Sequence, residues 1–487
     1  MNPTYHSNVD VLSTTTWLDW TVFFLVLAAT FASVLYGEFL KKKSEKIAGP
    51  LGDTLELLLM GRQLTLPLFV GTMVATWYGG IFGVTQIAFE KGIYNFITQG
   101  AFWYVSYIVF ALFLVDKIDS YQALTLPDLV HKMYGPRSSK ICAILNFLNV
   151  LPVAYVLGVG IFIQIITGWP MIASMGAGVI VVILYSSLGG LRAMVFSDLV
   201  LFVAMCASVL MILVFSVGTF GGLPFLKANL PANHFSPTGG ESIWHIMVWG
   251  LIAFSTLVEP AFYQQCFAAK NKTVAKKGIL ISTLIWFCFD ICTTFGAMYA
   301  RAVIPEANSG HSYLIYALQL LPDGLRGFAL AGILATIIST LDSYLFIAST
   351  TLTYDLGPKK IRGAAWAHHL GVAVISLFTI LLATRFEGSI KSVWKTFGSY
   401  SASCLLLPVL VGYITKRKLH DFQFICAVSL GILAVTYWRF TKHTGIWADV
   451  DEIYIGVTAT LTGLFIIAPI LIHFFPNSPL LSDKENA

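Results

Sequence analysis

Ala75-Thr76-Trp77-Tyr78-Gly79-Gly80 stands in the middle of an apolar run that extends from about residue 65 to 88, with Gly83 shortly beyond it. Glycine loosens a helix, and polar side chains can then take up freed backbone groups. A second interruption, Glu259-Pro260, lies midway along the run 242–268. Pro260 removes an i→i−4 hydrogen bond and clashes with the carbonyl before it. Unwound backbone at membrane depth is tolerated only where it is buried in protein or lines a cavity. The two breaks therefore matter if the runs around them are membrane spans.

Composition says that they are. Of 487 residues, 57% are hydrophobic and 14% aromatic, and only 11% are charged, against about 25% in an ordinary soluble domain. Mean hydropathy is +0.77. These figures exclude a soluble globular fold, disorder, collagen and a coiled coil. They indicate an all-α polytopic membrane protein, with one domain in which helix packing replaces a water-driven core. The seven cysteines lie in apolar stretches with no CxxC pair, and read as small core residues.

A hydrocarbon core of about 30 Å takes about 20 apolar residues per helix. Thirteen segments qualify, near 17–38, 65–88, 96–115, 141–166, 171–189, 194–219, 242–268, 278–300, 327–354, 364–384, 393–414, 421–438 and 454–474. The first sixteen residues carry no Lys or Arg, so the first segment reads as a span and not as a signal peptide. Lys41-Lys42-Lys43, Lys117 to Lys140, Lys270 to Lys277, Lys359-Lys360 with Arg362, and Lys416-Arg417-Lys418 all fall in loops on one side. The loops on the other side hold two basic residues or fewer each. This predicts a multi-pass cell-membrane protein with the N-terminus outside and the C-terminus in the cytoplasm.

The two breaks lie five spans apart. An odd repeat length inverts the second unit relative to the first, and paired interrupted helices point to a secondary transporter. The expected organisation is an extra helix and cytoplasmic loop over 1–58, a first five-helix repeat over 59–220, an inverted second repeat over 221–418, and two C-terminal helices with a short tail over 419–487. Two ordinary Gly or Pro kinks are the plainer alternative.

Intramembrane carboxylates are costly, so each is a candidate by default. Asp198 lies in the first turn of the sixth segment, where the helix dipole alone can account for it. Asp290 has no motif around it and is expected to have a structural partner. Asp342 belongs to the stretch Thr336-Ile337-Ile338-Ser339-Thr340-Leu341-Asp342-Ser343. Positions 336, 339, 340 and 343 share one helix face. Hydroxyl oxygens beside a carboxylate suit a hard cation such as sodium; hydroxyls bonding back to i−4 carbonyls are the alternative.

At these residues the chain resembles the sodium:solute symporter family, over roughly residues 60–415. Ser339-Thr340-Leu341-Asp342-Ser343 is similar to the family's paired hydroxyls. Gly189-Gly190, Val195 and Asp198 resemble its GG-x-x-x-x-V-x-x-D, although Leu201 stands where many members carry Gln. Ala75 to Gly80 resembles the ATWxGG run of choline-type members. The resemblance implies a LeuT-type core of two inverted five-helix repeats and sodium-coupled symport of a small organic solute by alternating access. It implies a sodium site from the carbonyls of Ala75, Tyr78 and Thr336 and the hydroxyls of Ser339 and Thr340. A second sodium site, present in some members, would involve Asp198, Ser339, Asp342 and Ser343.

Choline-type members hold a quaternary ammonium against aromatic faces. Trp77 and Tyr78 are present, but Glu259 stands where a cage Trp is expected and Tyr155 lies near the position of another. The expected solute-binding set is Trp77, Tyr78, Tyr155, Glu259 and Tyr263, and the expected solute an amine, choline-like or amino-acid-like compound. Packing remains an alternative for Trp77, and pairing with backbone N–H groups freed at Pro260 remains one for Glu259. A proton-coupled carrier relying on Asp342 or Asp198 is the rival reading, and a channel a weaker one. Scattered histidines and the lack of a metal or nucleophile constellation argue against an enzyme. Sodium, the solute and the bilayer are the expected partners, with no nucleic acid.

Overall fold

The computed structural model describes residues 5–7, 9–44, 50–186, 190–415 and 419–475. Gly189 and Lys416-Arg417-Lys418, used above, lie outside the described residues. The described residues are helical apart from turns and loops, with one isolated parallel bridge. The long helices are α1 (Trp17–Ser44), α2 (Leu66–Trp77), α3 (Ile81–Lys91), α4 (Phe96–Tyr121), α5 (Pro136–Thr167), α6 (Met171–Ser186), α7 (Gly190–Phe220), α8 (Ile243–Phe254), α9 (Pro260–Ala268), α10 (Lys272–Val303), α11 (Leu325–Asp355), α12 (Ala365–Phe386), α13 (Ile390–Ile414), α14 (Asp421–Phe440) and α15 (Glu452–Phe474). Among the described residues, eleven spans are long and apolar enough to cross a bilayer, with α8 and α9 counted as one; the bent pair α2/α3 makes a twelfth. The segment expected at 171–189 is the shorter α6, so the count of thirteen is not established by length and composition.

Polar residues start these helices where the pattern of apolar residues begins. Ser242 accepts from the N–H of His245 (3.3 Å), Asn271 from Val274 (3.0 Å) and Ser389 from Ser392 (3.3 Å), each satisfying a donor that the helix cannot.

Both expected breaks are present. α2 and α3 meet at 61°, across Tyr78, Gly79 and Gly80. Gly80 has a negative φ of −91°, so its role there is close approach and not left-handed backbone. A Cβ on Gly79 would strike Thr340 and the Tyr155 ring, and one on Gly80 would strike the Trp394 indole. In the second break a short turn, Ser255–Val258, follows α8, and Glu259 is extended (φ −79°, ψ 118°). Pro260 occupies the first position of α9. There its missing N–H removes no intrahelical bond, so proline starts a new half-helix instead of straining an old one.

A third interruption was not anticipated. α5 stops at Asn149 and resumes at Val153, with Leu151-Pro152 between. α11 is the most buried span, with 94% of its best apolar window inside the protein. It packs on α1, α2, α5, α7 and α12. On the Lys/Arg-rich side, backbone bonds join the start of α2 to the end of α9: Leu64 N–H to Ala268 O and Lys270 N–H to Leu64 O, both 3.0 Å. Nearby, the Arg192 guanidinium forks onto Glu56 at 2.5 and 3.0 Å, with both side chains buried.

Candidate functional site

α2 ends in mid-membrane, so its last carbonyls lack intrahelical partners and carry the negative end of the half-helix dipole. The Ala75 carbonyl accepts from the hydroxyls of Ser339 (2.9 Å) and Thr340 (3.2 Å) on α11. The same hydroxyls reach the Thr336 carbonyl at 3.3 and 3.1 Å, and Ser339 also reaches Ala335 O at 2.7 Å. The Thr336 hydroxyl turns away to Ile333 O (2.7 Å), leaving only its carbonyl at the cluster. Two carbonyl and two hydroxyl oxygens thus converge, all fully buried. Neutral oxygens with no competing ammonium form a donor set suited to a hard monovalent cation. Tyr78 belongs to the break, but its side chain points elsewhere, donating to Asp290 and meeting Thr293 at 3.1 Å.

The other polar residues expected in this region form separate contacts. Ser343 Oγ lies 3.0 Å from Thr76 Oγ1, which also accepts from Gln265 (3.4 Å). Thr72 donates to Asp198, whose second carboxylate oxygen is buried with no hydrogen-bond partner. Asp198 and Asp342 are both buried. Asp198 is thus hydrogen-bonded to neither Ser339 nor Ser343.

Beside the α2/α3 and α8/α9 breaks lies a cavity of about 160 Å³. Trp77, Tyr78, Tyr155 and Glu259 line it. Glu259 is 7% exposed and accepts from Asn149 Nδ2 (3.1 Å) and the Tyr344 hydroxyl (3.2 Å). It also accepts from the Ala261 backbone N–H at the start of α9. The Tyr155 and Tyr344 rings meet edge-on, 4.9 Å between centroids. Trp77 packs edge-to-face on Phe262 (5.1 Å) and Tyr107 (6.1 Å) while lining the cavity, so packing and lining are both its roles. Tyr263 lies outside the cavity; its hydroxyl donates to Leu257 O (2.8 Å) and accepts from Tyr413 (3.1 Å).

Several lining residues were not anticipated. Asp290 accepts from both Tyr78 and Tyr104 and faces the cavity; its position inside a span was legible, its neighbours were not. Asn149 is brought in by the break in α5, signalled by Leu151-Pro152. Tyr344 is one turn beyond Thr340 on the same helix face. Trp394 enters from α13, where no local pattern distinguishes it.

The region 58–420 matches the model of the sodium:solute symporter family. Among curated relatives, the chain is 24% identical to the sodium/glucose cotransporter 4 of Mus musculus, with 88% of this chain and 72% of that protein aligned. It is 22% identical to the sodium/pantothenate symporter of Escherichia coli (strain K12), over 70% of this chain and 75% of that one. The sodium/proline symporter of the same organism is 25% identical over 69% and 71%. A solved Na+-coupled sialic acid symporter in a substrate-bound outward-open state superposes with a TM-score of 0.75 at 16% identity, covering 93% of this chain and 98% of that one. Mhp1, a nucleobase-cation-symport-1 family transporter, gives 0.55 at 12% identity over 86% and 94%. These likenesses show the fold, a LeuT-type helical transporter core.

Proposed function

This chain belongs to the sodium:solute symporter family, and on that premise we propose that it carries a small cationic amine inward, driven by sodium held where α2 ends against α11. Symport with sodium follows from the family; the solute and the ion ligands are our reading. Ala75, Tyr78 and Thr336 would supply carbonyls to the ion and Ser339 and Thr340 hydroxyls, while Asp198, Ser339, Asp342 and Ser343 are the proposed second site. The organisation into a first repeat over 59–220 and an inverted repeat over 221–418, and an N-terminus outside, belong to the same proposal.

One observation carries the choice of solute. Glu259 lines the cavity at the second break, held by neutral donors, the Asn149 and Tyr344 side chains and the Ala261 backbone N–H, and no ion pair to it is found among the described residues. A buried carboxylate without a counter-charge is costly. A solute ammonium would supply that charge, with Trp77 offering a π face alongside. The relatives' names give glucose, pantothenate and proline, so they leave the solute open.

The test is uptake into proteoliposomes under an imposed sodium gradient, with a panel of amines, amino acids, sugars and organic anions. Sodium-dependent accumulation of an amine supports the reading. Accumulation of a sugar or an anion in preference to every amine overturns it.

A further inference from the structure

The cavity holds a second carboxylate. Glu259 enters from the α8/α9 break and Asp290 from α10, and both line the same space. Their hydrogen-bond partners do not overlap. Glu259 is held by Asn149 on α5 and Tyr344 on α11; Asp290 is held by Tyr78 at the α2/α3 break and Tyr104 on α4. Every one of these donors is neutral. Among the described residues, neither carboxylate forms an ion pair.

The proposed ion site at Ala75, Thr336, Ser339 and Thr340 is made of neutral oxygens, so it draws on neither carboxylate. Each of these buried carboxylates lacks a cationic partner, so ionising either one is costly. A solute with one ammonium would answer one of them and leave the other exposed to that cost. Much of the remaining wall is aromatic, with Trp77, Trp103, Tyr107 and Trp394. Such faces favour methylene groups and the ammoniums at their ends. A space of about 160 Å³ is below the roughly 300–1,000 Å³ of drug-sized sites, which calls for a short spacer.

We propose that the solute is a short aliphatic diamine, one ammonium meeting Glu259 and the other meeting Asp290. This rests on the reading of the solute as an amine and sharpens it.

The experiment uses the full chain in nanodiscs with saturating sodium. Affinities are measured for α,ω-diaminoalkanes of increasing spacer length and for n-alkyl monoamines of matched length. We expect one diamine to bind at least tenfold more tightly than its matched monoamine, with a clear optimum in spacer length. Asp290→Asn should weaken that diamine about tenfold more than it weakens the monoamine. The wild-type comparison stands even if the variant fails to fold. Equal affinity of diamines and monoamines overturns the dication while leaving the amine reading intact. No sodium-dependent binding of any member of either series overturns both.

Discussion

Ser339 and Thr340 link the proposed ion site to the cavity. Thr340 packs on Gly79, Gly79 on Tyr155, Tyr155 on Tyr344, and Tyr344 bonds Glu259. An ion drawing the Ser339 and Thr340 oxygens toward the end of α2 therefore bears on the solute pocket through touching side chains. Ser339→Ala and Thr340→Ala should each weaken apparent sodium affinity by about tenfold, with solute affinity falling through linkage; sodium activation curves on both variants would show this, and unchanged curves at normal expression would remove the site. Glu259→Gln should weaken a primary amine by about tenfold or more, since hydrogen bonds to charged groups are worth about 1.5–3 kcal/mol. A quaternary amine, which donates no hydrogen bond, should lose less; equal losses would count against the pairing. At this scale the hydroxyl stripe was legible because a helix repeats every 3.6 residues. Asp290 was visible as a charge but not as part of a cavity, because its partners come from residues 78 and 104. Tyr263, expected in the solute-binding set, bonds Leu257 and Tyr413 and does not line the cavity: the helix restarts at Pro260, which resets the face that follows.

The elements show why glycine and proline stand where they do. The sequence marks both main breaks, and the structure assigns each its cause. Gly80 is needed for the approach of Trp394 on α13, a contact across more than three hundred residues that no local pattern contains. Gly80→Ala should therefore destabilise the protein by about 1–3 kcal/mol through overpacking. Thermal unfolding in detergent would detect it, and Trp394→Leu in the same chain should recover part of the loss. An unshifted midpoint for Gly80→Ala would contradict the close approach. The break in α5 was written in Leu151-Pro152 and went unread, because a lone proline in an apolar span is common. What set it apart was the position of Asn149 opposite Glu259, which only the packing reveals.

For the whole molecule, two contacts tie helices together on the Lys/Arg-rich side. The Leu64–Ala269 bridge joins the start of α2 to the end of α9, and the buried Arg192–Glu56 pair ties the start of α7 to the helix Pro50–Leu59. Arg192→Gln and Glu56→Gln should each cost about 3–5 kcal/mol, because each leaves a buried charge alone. The double variant should cost less than the sum, and a double-mutant cycle in thermal unfolding measures the difference; strict additivity would mean that the pair does not couple. Removing this clamp should also favour states open on that side, as expected when one of two conformations loses contacts the other lacks.

Sodium at the end of α2 and an amine beside Glu259 should bind as one coupled unit. Equilibrium binding of radioactive sodium to the purified protein, with and without saturating amine, tests it directly when paired with amine binding with and without sodium. Each ligand should tighten the other by the same factor, about 5- to 150-fold for a typical coupling. Sodium affinity that does not change when the amine is present, or amine binding that is as tight without sodium, would contradict it.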